Sequence, residues 1–248
     1  MTCLNCSSEV LQNYCPNCGQ KTSTKRFSLK NIISFEILSG IFTLDKGLLH
    51  TTKELFTRPG HSLREYMQGQ RIGHFNAFSY LVLLSTVSYL LGEYSNVHLS
   101  DLMDDSQRGF ASSFEEFAND YPRLIYFINI PMMAIASWLF FKRSKVNMAE
   151  HVILNTYIAG ASLLMTLPLS VVGLFYDDLA VLQFLYVQII PLLSFIYIAW
   201  VYYQFFSPHY LKKGKLVFRV LFAVFTSTLF QGIVYAAIVA VKGGLKAF

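Results

Sequence analysis

Charge is what this sequence has least of. Asp, Glu, Lys and Arg make up 14% of its 248 residues, against about 25% in a soluble domain. None of them falls in the middle of its five longest apolar runs, so the intramembrane ionisable residue that marks a proton or ion path is missing. Cysteine occurs only at positions 3, 6, 15 and 18. No G-x-S-x-G, P-loop or G-x-G-x-x-G occurs, and Glu150-His151 lacks the second histidine of H-E-x-x-H. The hydrophilic loops are too short to hold a soluble catalytic site, which argues against a lipid-acting membrane enzyme. No apolar run precedes Cys3, so no cleavable signal peptide is expected. Neither an internal repeat nor a low-complexity tract is visible.

What is present is apolar and aromatic: 54% hydrophobic and 16% aromatic residues, with a mean hydropathy of +0.42. A helix rises 1.5 Å per residue, so crossing about 30 Å of hydrocarbon takes about 20 apolar residues. Five runs qualify: 75–94, 123–141, 152–175, 181–206 and 217–241. The first is the weakest, because Ser79, Ser85, Thr86 and Ser88 dilute it. The sequence therefore predicts an all-α polytopic membrane protein of about five transmembrane helices, in three parts. These are a head at 1–20, a linker with amphipathic helices at 21–74, and a helical membrane domain at 75–248.

Basic residues near span ends set orientation. The head, the linker and the segments around Arg143 and Lys213 carry almost all of them. The segment from Ser95 to Pro122 holds only Arg108, against Asp101, Asp104, Asp105, Glu115, Glu116 and Asp120. That pattern places the amino terminus in the cytoplasm and, with five spans, the carboxy terminus outside.

The head reads Cys3-x-x-Cys6 and Cys15-Pro-x-Cys18. Two such knuckles present four thiolates, which suits one tetrahedral structural Zn²⁺. A redox dithiol and an iron–sulfur site are the competing readings. The head is too small to bury a core, so bound metal would supply its folding energy.

Between head and spans, Leu29, Ile32, Ile33, Ile37, Leu38 and Ile41 recur at helical spacing. This predicts an amphipathic helix over 28–42, interfacial or packed on protein. A second helix is expected from about Lys46 to Thr57 behind Asp45, with Leu48, Leu49, Thr52, Leu55 and Phe56 on its apolar face. The stretch RPGHSLREYMQGQR, from Arg58 to Arg71, follows. Pro59-Gly60 breaks the preceding helix, Ser62 and Glu65 have capping-box spacing, and Gly69 is a C-terminal stop. Arg58, Arg64 and Arg71 are read in two ways. One is orientation and contact with anionic lipid headgroups; the other is a bidentate grip on an oxyanion of a lipid or partner. His61 and Glu65 stand one turn apart, at the spacing of a metal pair or of an ordinary surface pair.

LDKGLLHTTKELFTRPG, then REYMQGQR, behind a CxxC/CPxCG head, resembles the bacterial domain of unknown function 3667 family. The resemblance implies a zinc-ribbon-headed polytopic protein of the bacterial cytoplasmic (inner) membrane and supplies almost no mechanism. For function, a non-enzymatic membrane protein whose head recruits a cytosolic protein partner comes first, with no nucleic acid expected. A transporter or channel subunit is the alternative, with Asn129-Ile-Pro131 and Gln188-Ile-Ile-Pro191 as a solute path through broken helices. The plainer account of those residues is interhelical hydrogen bonds and tolerated kinks.

Overall fold

The computed structural model describes residues 1–31, 47–94, 98–176 and 178–246. Apart from two isolated β-bridges in the head, the regular structure of these residues is helical. The predicted helix at 28–42 lies largely outside the described residues, which hold its first turn, Leu29–Asn31. Asp45 and Lys46, at the expected start of the next helix, also lie outside them.

That next helix, α1, spans Gly47–Thr57. It buries Thr51, Glu54 and Leu55 but leaves Leu49 81% exposed, so Leu49 does not belong to the buried face. Helix α2, Pro59–Met67, starts on proline, whose missing N–H is one of the four orphan donors of a helix N-terminus. The predicted capping box is absent: the N-cap is Arg58, without a side-chain cap, and Ser62 lies inside the helix. Proline already satisfies the start, which frees Ser62 and Glu65 for tertiary bonds. The stop at Gly69 is as expected. Its φ is +104°, and Gln70 N donates to Glu65 O (3.0 Å) while Gly69 N donates to Tyr66 O (3.2 Å), the paired bonds of a Schellman motif.

The remaining helices follow. Helix α3, Ala77–Glu93, is capped by Asn76, whose side-chain oxygen accepts from Phe78 N and Ser79 N. Helix α4 is Asp105–Asp120 and α5 is Pro122–Phe140. Helix α6, Met148–Val172, carries a complete capping box: Asn147 Oδ1 accepts from Glu150 N (2.9 Å) and Glu150 Oε2 from Asn147 N (2.8 Å). Helix α7 runs Leu179–His209 and includes a π-helical segment, Phe184–Ile189, just before Pro191. Proline removes a backbone donor, and the wider π turn re-registers the carbonyls on its N-terminal side. Helix α8 is Lys213–Lys246.

Three of these helices are long and apolar enough to cross a membrane: α6, α7 and α8 up to Val241. A fourth crossing arises if α4 and α5, bent by 105° at their junction, form one broken span. The five-span expectation is thus not met in full. Helix α3 has 17 residues, about 26 Å, less than the full hydrocarbon core. The acidic segment between the first two expected spans contains α4, whose Phe110, Phe114 and Phe117 follow helical spacing; Phe114 packs on Tyr235 of α8 at 4.8 Å.

Helix α6 is the hub, packing on α3, α5 and α7. Ile153, Leu154, Tyr157, Ile158 and Ala161 are fully buried there. Buried tyrosines tie the elements together. Tyr157 O–H donates to Phe75 O (2.6 Å), Tyr197 O–H to Leu55 O (3.1 Å) and Tyr202 O–H to Asn155 Oδ1 (2.6 Å). Around the rim, Leu192, Leu193 and Ile196 of α7 and Phe218, Phe225, Leu229 and Ile233 of α8 face outward. Long helices with apolar outer faces suit lipid, where helix packing needs no hydrophobic driving force.

Candidate metal centre and the seam beneath it

The head is one knuckle built twice. The bridge Thr2–Glu9 recurs as Tyr14–Lys21, twelve residues on. Cys3 N donates to Ser8 O and Ser7 N to Cys3 O; correspondingly, Cys15 N donates to Gln20 O and Gly19 N to Cys15 O, all at 2.8–2.9 Å. Ser7 and Gly19 both adopt positive φ, +60° and +75°, the tight turn that returns the chain behind the second cysteine. An internal repeat is therefore present, against expectation. Its two copies share only Cys-x-Asn-Cys in residue identity, too little to show in the sequence.

Folding the copies face to face brings all four sulfurs within 4.8 Å of one another. Cys3 Sγ lies 3.6 Å from Cys18 Sγ, and Cys6 Sγ lies 3.5 Å from Cys15 Sγ. These separations are far too long for disulfide bonds, near 2.05 Å. A tetrahedral ion with bonds of about 2.3 Å would set its sulfurs about 3.8 Å apart, so the cluster fits one. Backbone N–H groups of Cys6 and Asn5 hold the Cys3 thiol below its usual value, and the Ser8 hydroxyl and N–H hold Cys6 down at about 6. Both effects favour the thiolate that a metal requires, whereas burial and the three neighbouring thiols push Cys18 up. Among the described residues, this is the one group of three or more Cys, His, Asp or Glu side chains arranged to hold an ion. His61 and Glu65 do not form a second one. His61 Nδ1 is bonded to Arg64 Nη2 (2.8 Å), and Glu65 accepts from Arg58 (2.8 and 3.0 Å).

The head is latched to the turn that ends α2. Gln20 Nε2 donates to Gly69 O (2.8 Å) while Arg71 N donates to Gln20 Oε1 (3.1 Å), so one buried amide is paired at both ends. Ile72 N donates to Asn5 Oδ1 (3.3 Å). Behind the head, Arg26 makes a bidentate pair with Glu150 at the start of α6 (2.6 and 2.8 Å), and its Nη2 also donates to Lys145 O (2.8 Å). Asn147 Nδ2 donates to Phe27 O (2.9 Å). Nothing in residue spacing signals these contacts, because Gln20 and Arg26 reach partners 49 and 124 residues away.

The three collar arginines are placed apart and each has protein partners. Arg58 lies between Glu54 and Glu65. Arg64 donates from Nη1 to Gln204 O, which also accepts from Ser207 Oγ (3.1 Å), and to Phe205 O (2.9 Å), carbonyls near the end of α7. Arg71 donates to Lys25 O (2.8 Å) and lies over the Phe27 ring at 3.7 Å. Arg219 repeats the capping role of Arg64, donating to Phe140 O at the end of α5 (2.6 Å). Cations at helix C-termini complement the helix dipole.

Of the polar residues on the apolar helices, Asn155 is part of an interhelical network in which the buried His151 Nε2 is left without a hydrogen-bond partner. Asn155 Nδ2 donates to Ser137 Oγ (3.1 Å) and His151 O (2.7 Å), and Ser137 Oγ also meets His151 Nδ1 (2.9 Å). Asp178 serves as a helix cap, accepting from Ala180 N and Val181 N.

Residues 45–89 match the model of a family described as protein of unknown function (DUF3667), which supports the resemblance read in the sequence. The matched segment contains α1, α2, the Gly69 turn and most of α3. No curated protein and no solved structure matches the chain.

Proposed function

We propose that this is a non-enzymatic, multi-pass protein of the bacterial inner membrane, whose cytoplasmic head binds structural Zn²⁺ and recruits a cytosolic protein. The observation that carries the reading is the four-sulfur cluster on a head fastened to the membrane domain at the Gly69 turn. Four ligands close the coordination sphere, so the metal builds a surface and leaves no position open for chemistry. That surface holds Met1, Leu11 and Tyr14, which are 80%, 96% and 58% exposed, while Leu4 packs against Gly69. Three exposed apolar side chains on so small a unit suit a protein contact.

In this reading α3 and α5 also cross, giving five spans and opposite sides for the two termini. Outward-facing Val82, Val87 and Leu90 on α3 and Ile135 and Leu139 on α5 support it, as does the charge asymmetry of the loops. Photo-crosslinkers at Leu11 and at Tyr14 in living cells test the recruitment. One discrete cytosolic protein is expected from both positions, lost when all four cysteines become serine. Equal labelling with and without the cysteines contradicts it. The π segment before Pro191 favours a second reading, a transporter or channel subunit. A solute flux through reconstituted vesicles that is lost in Pro191→Ala would establish that reading.

A further inference from the structure

The seam between head and membrane domain encloses a cleft of about 510 Å³. Lys25, Arg26, Arg64, Lys145 and His209 line it, with Glu150 as its only acid. Glu150 is spoken for by its bidentate pair with Arg26. Among the described residues, no carboxylate lies within ion-pair distance of Lys25, Arg64 or Lys145. Arg64 is half-buried, and its partners are two carbonyls and an imidazole, which accept hydrogen bonds without cancelling its charge. Burial pushes its guanidinium below the ordinary value, against the opposing pull of the neighbouring Glu65 carboxylate. Two of the five guanidinium N–H groups, on Nε and Nη2, are not used in these bonds. Met67, Val146 and Phe205 add apolar wall beside the charges.

We infer that this cleft is a binding site for a phosphate group, with Lys25, Arg64 and Lys145 as its ligands. Three cations from three separate segments, the linker, α2 and the α5–α6 turn, converge where only one acid stands and that acid is already neutralised. Guanidinium and ammonium together recognise phosphate by a directed fork and a point charge. The phosphate belongs to an anionic lipid headgroup, whose chains would meet the apolar wall, or to a soluble phosphate. The site requires the head to be docked but does not depend on the partner proposed above.

The test uses the full chain in detergent with two probes. Phosphatidylglycerol against phosphatidylcholine is read by native mass spectrometry, and inorganic phosphate against chloride at equal ionic strength by thermal shift. The variant is Lys25→Gln with Lys145→Gln, since neither ammonium holds a structural partner among the described residues. The control is Arg143→Gln, on the same turn but outside the cleft. At roughly a fivefold effect per basic residue near an anionic group, the double variant should bind about 25-fold more weakly, the control within twofold of wild type. Zinc content, unchanged in all three, separates loss of the cleft from loss of the head. Phosphatidylglycerol preference without a phosphate response assigns a lipid headgroup, and the reverse assigns a soluble phosphate. A double variant equal to wild type, an equal loss in the control, or no response of wild type to either probe overturns the site.

Discussion

At the scale of single residues, Gly69 joins the two halves of the molecule. Its φ of +104° is open to glycine, and a Cβ there would lie 2.7 Å from Leu4 Cδ1 of the head. Gly69→Ala should therefore cost about 1–3 kcal/mol of docking and expose the linker at Lys21–Arg26 to protease, with the sulfur cluster still able to hold its metal. His74 supplies a pH dependence. Its Nε2 bonds Ser62 Oγ at 2.8 Å, and burial, then the nearby His50, push it down to about 4 from 6.5. The unfolded state thus binds more protons than the folded state between pH 6.5 and 4, so stability falls as pH falls through that window and the effect is absent above it. Thermal midpoints at pH 7, 5.5 and 4.5 should decline in wild type and decline less in His74→Gln, which keeps a partner for Ser62. The residue types at these positions were legible in the sequence, but their partners were not. Gly69 announced a stop, and Cys-x-x-Cys announced a knuckle. The arginines announced only charge, and their bonds to carbonyls at Gln204, Phe205 and Lys25 depend on tertiary approach.

At the scale of elements, packing is set by glycines that let helices touch. A Cβ at Gly60 would overlap the Phe205 backbone nitrogen, and one at Gly160 would come within 2.6 Å of Tyr80 Cδ1. Gly60→Ala should separate α2 from α7 at a cost of about 1–3 kcal/mol or more, because the clash is with backbone and has no side chain to yield. Its thermal midpoint should drop clearly below that of Gly92→Ala, where a Cβ meets nothing within 4 Å. Helices α3, α5, α6, α7 and α8 are readable from apolar runs, and α1 from the helical spacing of its apolar residues. Helix α4 is not, because its short apolar face is interspersed with polar and acidic residues and makes no long apolar run. The capping-box spacing at Ser62 and Glu65 does not start a helix, because Pro59 sets the start, whereas Asn147 and Glu150 do form a box at the start of α6.

At the scale of the whole molecule, the account joins a metal-held head to a lipid-facing helical domain. With five spans, epitope tags at the amino terminus and beside Arg143 should be shielded in intact cells, and tags beside Asp104 and after Phe248 accessible. A shielded carboxy terminus would indicate an even number of crossings, with α3, at 17 residues, as the helix that does not cross. The most direct measurement for the account as a whole is elemental analysis of the purified full chain beside a variant with Cys3, Cys6, Cys15 and Cys18 all replaced by serine. The proposed zinc site predicts one zinc per wild-type chain and none in the variant, with the helical content of the apolar helices unchanged, since those helices fold by lipid and by packing on one another. Iron in place of zinc, or equal zinc in both proteins, would contradict it.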